Sequence, residues 1–361
     1  MVTHSRLPVL WLCGAPAAGK STVAWQTLTC LSDQGLRVGY VDIDQVGMLY
    51  PRAADDPSGH AFKVDNFGGL VGNYCAAGAQ ALVVSGVIDP ESGADVADRA
   101  ADADLTFCLL TVDEPTLRSR LADRGWSVGA ADDALQMMNS LIEAPFVNTI
   151  IETTSRTPDS LAREAAALVT PVSSRPAVQQ SSRGGAGKVT LIVGPRAVGK
   201  SSVSWAMAMR SWSAGARTAY VDLDQLGFLR PEPAGISLRA ANLGVIWRNA
   251  VARGARRLIA NGLVTTHEDL SVLRHAVRPA SVHVIRLAAD PATLWDRIHA
   301  RRGGGPARLI NDDLEDVTAS YQRGVHRDAV AQAASLAAIN LGDSIIDTTH
   351  LSVGEVIERA L

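Results

Sequence analysis

Lysine is nearly missing from this 361-residue chain: of 34 Lys and Arg residues, the lysines are Lys20, Lys63, Lys188 and Lys200 alone. A sequence that otherwise uses arginine, yet sets two of its four lysines in glycine-rich loops, calls for a compact ammonium there instead of a planar guanidinium. Cysteine is as scarce. Cys13, Cys30, Cys75 and Cys108 show neither C-x-x-C nor Cys/His spacing, which argues against disulfides and structural zinc and for free thiols. No apolar run reaches the roughly 18 residues that span a bilayer. The opening MVTHSRLPVL lacks a signal-peptide pattern, so the expected compartment is the cytoplasm. With 47% hydrophobic and 20% charged residues, the composition is that of a globular protein, and the length suits two domains.

What is present is present twice. "WLCGAPAAGKST" (Trp11–Thr22) returns as "LIVGPRAVGKSS" (Leu191–Ser202), and "YVDIDQVG" (Tyr40–Gly47) returns as "YVDLDQLG" (Tyr220–Gly227). "KVDNFGGL" (Lys63–Leu70) matches "RAANLGVI" (Arg239–Ile246), and "TVDEPTLRSRLADR" (Thr111–Arg124) matches "AADPATLWDRIHAR" (Ala288–Arg301). Finally "IIETT" (Ile150–Thr154) matches "IIDTT" (Ile345–Thr349). Five blocks in one order predict a tandem duplication of a whole domain. The Ser-, Gly- and Gln-rich stretch 173–187 reads as a flexible linker, which gives domains at 1–172 and 188–361.

The halves differ in charge. The first has 11 Lys and Arg against 21 Asp and Glu, a net of −10; the second has 21 against 16, a net of +5. Opposite charges favour docking of one half on the other. Between the last two blocks the second half is 18 residues longer and rich in arginine.

Short apolar runs ending at glycine, such as "PVLWLC" and "VTLIV", read as buried parallel strands. Glycine-terminated segments of helical length follow each loop. Strands alternating with helices predict an α/β fold: two tandem P-loop domains, each a parallel sheet flanked by helices.

Both loops satisfy G-x-x-x-x-G-K-[ST]. Glycines let backbone N–H groups turn inward around a phosphate, and the following helix adds its positive dipole end. Nucleotide binding is therefore expected from Gly14, Ala17, Ala18, Gly19, Lys20, Ser21 and Thr22, and from Gly194, Ala197, Val198, Gly199, Lys200, Ser201 and Ser202. Lysine reaches the β/γ-phosphates of ATP and the Ser21 or Ser201 hydroxyl ligates Mg²⁺. The D-x-D pairs, Asp42/Asp44 and Asp222/Asp224, put two carboxylates on one face of a strand end. One can hold Mg²⁺ or take a proton from a hydroxyl, and the other can bind the acceptor.

Phosphate loop, D-x-D, an arginine-bearing helix after the fourth strand and a last strand ending in Asp-Thr-Thr together resemble the P-loop small-molecule kinases. That group includes shikimate, gluconate and adenylylsulfate kinases and chloramphenicol phosphotransferase. The resemblance covers nearly all of each half. It implies a five-stranded parallel sheet with a lid over ATP, Asp42 and Asp222 as Mg²⁺-linked base candidates, and Asp44 and Asp224 as acceptor ligands. It further implies that Arg120 and Arg124, or Arg297 and Arg301, stabilise the transferring phosphoryl group. Lys63 and Asn66, and Arg239 and Asn242, stand where such kinases read the acceptor. The first half has Glu152 where the second has Asp347, and its lid is short. The second half offers Arg297, Arg301, Arg302, Arg308, Arg323 and Arg327 with a hinge at Gly303–Gly305, and is expected to carry most of the transfer. The expected activity is ATP-dependent phosphorylation of a small-molecule hydroxyl. The competing readings are an ATP-dependent regulator with no acceptor, and a polynucleotide kinase; the mild net acidity and the lack of interleaved aromatic and basic residues weigh against nucleic acid.

Overall fold

The computed structural model describes residues 6–90, 93–173, 184–301 and 317–360. In chain order the first part comprises β1 (Leu7–Cys13), α1 (Lys20–Asp33), β2 (Val38–Asp42), β3 (Leu49–Tyr50), α2 (His60–Ala76), β4 (Ala81–Ser85) and α3 (Gly93–Arg99). It continues with β5 (Ala103–Thr111), α4 (Glu114–Ala122), α5 (Val128–Ile142), β6 (Thr149–Glu152) and α6 (Pro158–Ala166). The second part comprises β7 (Lys188–Val193), α7 (Lys200–Ser213), β8 (Thr218–Asp222), β9 (Phe228–Arg230), α8 (Ile236–Ala252), β10 (Arg257–Asn261) and α9 (His267–Ala276). Then follow β11 (Ser281–Ala288), α10 (Pro291–Ala300), α11 (Ala319–Ala338), β12 (Ser344–Asp347) and α12 (Val353–Ala360). No described helix is long and apolar enough to cross a membrane.

The chain divides into two compact units. Unit one takes Met1–Gly47, Ala54–Gln180 and Gln225–Asn242; unit two takes Met48–Ala53, Ser181–Asp224 and Leu243–Leu361. Their sheets have the same plan, β6-β5-β1-β4-β2-β9 in unit one and β12-β11-β7-β10-β8-β3 in unit two. Five strands in each are parallel, as expected for an α/β fold, and the sheets are flanked by helices. All seven residues of β1 are buried, because helices cover both faces of a parallel sheet.

The sixth strand goes beyond the five implied by the resemblance. In unit one, β9 runs antiparallel to β2, with Phe228 opposite Tyr40. In unit two, β3 runs antiparallel to β8, with Tyr50 opposite Thr218. Each edge strand follows a D-x-D and completes the sheet that does not contain that D-x-D. The anchors are aromatic: the Phe228 ring lies 5.0 Å from Trp25 and 5.7 Å from Tyr40, and the Arg230 guanidinium sits 4.8 Å over Trp25. In unit two Tyr50 packs 4.9 Å from Trp212, with Arg52 4.1 Å over Tyr50. Close ring pairs, edge-to-face at Trp25–Phe228 and tilted at Tyr50–Trp212, and a guanidinium above a ring favour this closure beyond the area they bury.

All four cysteines are free. Cys13 and Cys108 are buried, and burial pushes the Cys13 thiol up to about 12, so these thiols serve packing.

Candidate active site

In each unit the phosphate loop joins the central strand to the helix behind it. Ala17 and Ala197 share φ 63°, and Gly19 and Gly199 are left-handed at φ 98° and 101°, so both loops turn their amides alike. The first glycine is needed for room. A side-chain carbon on Gly14 would lie 2.6 Å from the Leu110 carbonyl oxygen, and on Gly194 2.6 Å from that of Leu287.

Lys20 is 9% exposed and its ammonium donates to the Ala15 carbonyl at 2.8 Å. Lys200 donates to the Gly194 and Pro195 carbonyls at 3.1 and 3.0 Å. Burial lowers both ammonium pKa values, which the paired carboxylates Asp42/Asp44 and Asp222/Asp224 partly offset. The positive charges of Arg124 and Arg301 act on the lysines in the lowering sense.

Ser21 donates to Asp42 Oδ2 at 3.3 Å, and Ser201 to Asp222 Oδ2 at the same distance. The second acid of each pair is tied by its backbone: Asp44 N–H donates to Asp42 Oδ1 at 3.0 Å, and Asp224 N–H to Asp222 Oδ1 at 2.9 Å. Burial first, and the neighbouring carboxylate second, raise Asp42 and Asp222 to about 6. A hydroxyl and a carboxylate converging beside an ammonium and a helix N-terminus fit a hard, oxygen-seeking cation such as Mg²⁺. No cluster of three or more metal-binding side chains occurs among the described residues, so such a cation would draw further ligands from phosphate and water.

The remaining predicted residues divide. In unit one Lys63 pairs with Asp44 Oδ1, while Val87 N–H donates to Asp44 Oδ2 at 3.3 Å. Asn66 is fully buried and its amide donates to the Val46 carbonyl at 2.7 Å; Asn242 does the same to Leu226 at 2.7 Å and accepts from Asn73. Both asparagines therefore hold the turn after a D-x-D. Gly47 and Gly227 leave room for the stems of Lys63 and Arg239: a side-chain carbon there would meet their Cγ atoms at 2.3 and 2.7 Å.

Arg120 donates to the Ala17 carbonyl at 3.3 Å. Arg297 is held harder, donating to the Val198 carbonyl at 2.9 Å, to Thr348 Oγ1 at 3.0 Å and to the Thr348 carbonyl at 2.9 Å. Thr348 and its counterpart Thr153 also reach the loop carbonyls of Val198 and Ala18. These threonines brace the loop from the last strand. Their signal was the doubled "TT" after "IIE" and "IID", whose motif alone does not say which neighbour it serves. Arg323 and Arg327 are exposed on α11. Arg302, Arg308 and the hinge expected at Gly303–Gly305 lie outside the described residues. The acidic pair Asp132 and Asp133 lies on α5, where Asp132 pairs with Arg118 at 2.7 Å.

Sequence reasoning missed Ser85 and Asn261. They end β4 and β10 and stand beside Asp42 and Asp222 in register.

Residues 9–145 match a family model described as "AAA domain". No curated protein matches the chain. Among solved structures, a gluconokinase from Sinorhizobium meliloti 1021 is similar at 16% identity, over 48% of this chain and 89% of its own, with a TM-score of 0.33. The tunicamycin resistance protein of Deinococcus radiodurans is similar at 17%, over 47% and 100%, with 0.36. The shikimate kinase of Acinetobacter baumannii, solved with shikimate, is similar at 17%, over 45% and 93%, with 0.32. Each likeness thus spans just under half of this chain.

Proposed function

We propose that the protein is an ATP-dependent phosphotransferase acting on a hydroxyl of a small molecule. The observation that carries this is the D-x-D beside each phosphate loop. One carboxylate touches the loop serine, and burial lifts its pKa to about 6; the other, which Lys63 pairs in unit one, would meet the acceptor. A carboxylate near neutrality is suited to accept a hydroxyl proton at working pH. Lys20 and Lys200 would neutralise phosphate charge, and Arg124 and Arg301 would add positive charge where the transferring group passes. Ser21 and Asp42, or Ser201 and Asp222, would hold Mg²⁺, which would supply positive charge against the phosphates. In unit one the Lys63–Asp44 pair would orient the acceptor.

Unit two is the main catalytic unit in this reading, supported by its better-braced Arg297 and by the arginines of its longer segment. The test is ADP formation with Mg²⁺–ATP against a panel of sugars, nucleosides, amino alcohols and antibiotics. Acceptor-stimulated turnover is expected. Hydrolysis that no acceptor changes would overturn the transferase in favour of a nucleotide-dependent regulator.

A further inference from the structure

The two units offer an internal control, since one fold holds its acidic strand end in two ways. In unit two Asn261 is 1% exposed, and its amide nitrogen donates to Asp222 Oδ2 at 2.8 Å and to Ser201 Oγ at 3.3 Å. Its carbonyl oxygen accepts from Ser204 Oγ at 2.8 Å and from the Tyr220 hydroxyl at 3.1 Å. With a carboxylate on one side and two hydroxyls on the other, only this amide orientation satisfies every partner. In unit one the same place is held by Ser85, whose hydroxyl pairs with Tyr40 at 2.8 Å, and Ala24 stands where Ser204 does. Unit one thus keeps the tyrosine and the sheet without the amide. The network is not what the fold requires.

We propose that Asn261 is a positioning residue of the unit-two site: anchored by Ser204 and Tyr220, it locks Asp222 and Ser201 into one arrangement for receiving Mg²⁺ with the nucleotide. Unit one has no such device. This rests on the kinase reading. A serine and a carboxylate 3.3 Å apart make a weak contact on their own. An amide reaching both fixes their separation before the metal arrives, which reduces the ordering that binding must impose. Groups that orient metal ligands typically change metal affinity by about 10–100-fold when removed.

The test uses the full chain carrying Lys20→Ala, which removes the phosphate-facing ammonium of unit one. Binding of a non-hydrolysable ATP analogue is measured by calorimetry across a Mg²⁺ titration and without metal, with Mn²⁺ electron paramagnetic resonance as a second readout. Asn261→Ser, which installs the residue unit one uses, should raise the metal concentration for half-saturation about 10–100-fold. Metal-free nucleotide affinity should stay within about twofold, because the loop glycines and Lys200 that meet phosphate are unchanged. A merely structural asparagine would weaken both alike or neither, and either result overturns the inference. Should Asn261→Ser misfold, Ser204→Ala removes one anchor and should move the metal dependence the same way by less; an unchanged metal dependence there overturns the inference too. Failure of the parent chain to bind the analogue with Mg²⁺ would overturn the kinase reading itself, and the inference with it.

Discussion

In unit one, Ser85 turns its hydroxyl to Tyr40 and leaves Asp42 to Ser21 and the Asp44 amide; in unit two, Asn261 joins the corresponding pair and bonds Asp222 directly. The arginines follow the same trend, with one bond from Arg120 to its loop and three from Arg297 to the loop and Thr348. Yet the loops themselves agree in backbone angle and in the placement of lysine. A cradle for phosphate and the devices that hold an acid in place are therefore separable. One can be kept at both sites while the other is built at one.

The comparison breaks most sharply at the acids. Asp222→Asn should lower acceptor-stimulated turnover by about 10²–10⁴-fold, the usual weight of a general base, while Asp42→Asn should cost far less. The check is steady-state ADP formation with each variant. If Asp42→Asn abolishes turnover and Asp222→Asn spares it, the ranking of the units is reversed.

Binding should be more even. Lys20→Ala and Lys200→Ala each delete the loop ammonium expected to meet phosphate, and each should weaken one nucleotide site by about 2–4 kcal/mol. Calorimetry should then fall from two nucleotides per chain to one in either variant. A single site in the parent would refute two working loops.

The acids also set a pH dependence. Both have folded pKa values of about 6 against an ordinary value of 3.8, so protonation favours the folded state. That stabilisation is fully present below about pH 4 and is lost as pH rises through about 6. Each carboxylate shift corresponds to about 2–3 kcal/mol at most. Thermal unfolding without nucleotide should therefore lose stability from pH 4 to 7 in the parent and follow a flatter course in the Asp42→Asn/Asp222→Asn chain. Parallel pH profiles for the two chains would show that the acids are not raised as the geometry implies.

The smallest effects belong to the sheet edges. Phe228→Ala removes a ring packed on Trp25 and Tyr40, and Tyr50→Ala one packed on Trp212. Both rings are half-buried, so each change should cost about 1–2 kcal/mol, less than a fully buried aromatic. Denaturant unfolding of the two variants measures this, and a loss in only one would mean the edges are unequal.

Much of this was legible before the structure. The loops, their lysines and the D-x-D pairs are set by spacing within a few residues, and continuous apolar strands declare a parallel sheet. Asn66 and Asn242 were visible as residues but not as turn-holders, because their partners Val46 and Leu226 offer only backbone carbonyls. Asn261 was hidden by its neighbour: "ANG" at a strand end reads as a turn, and nothing local shows that the amide points back at Asp222. The edge strands were the least legible. "MLYP" and "FLRP" are too short and too close to proline to announce a strand, and the pairing depends on residues far along the chain.

Those edges bear on how the molecule can be inherited. A product ending at residue 172 would lack the segment that covers β2, leaving Val38–Tyr40 with bare amides and carbonyls and the Trp25 ring exposed. Open strand edges of this kind invite pairing with other chains. The two units are therefore tied to one reading frame: a break between residues 172 and 188 would leave each sheet without its sixth strand.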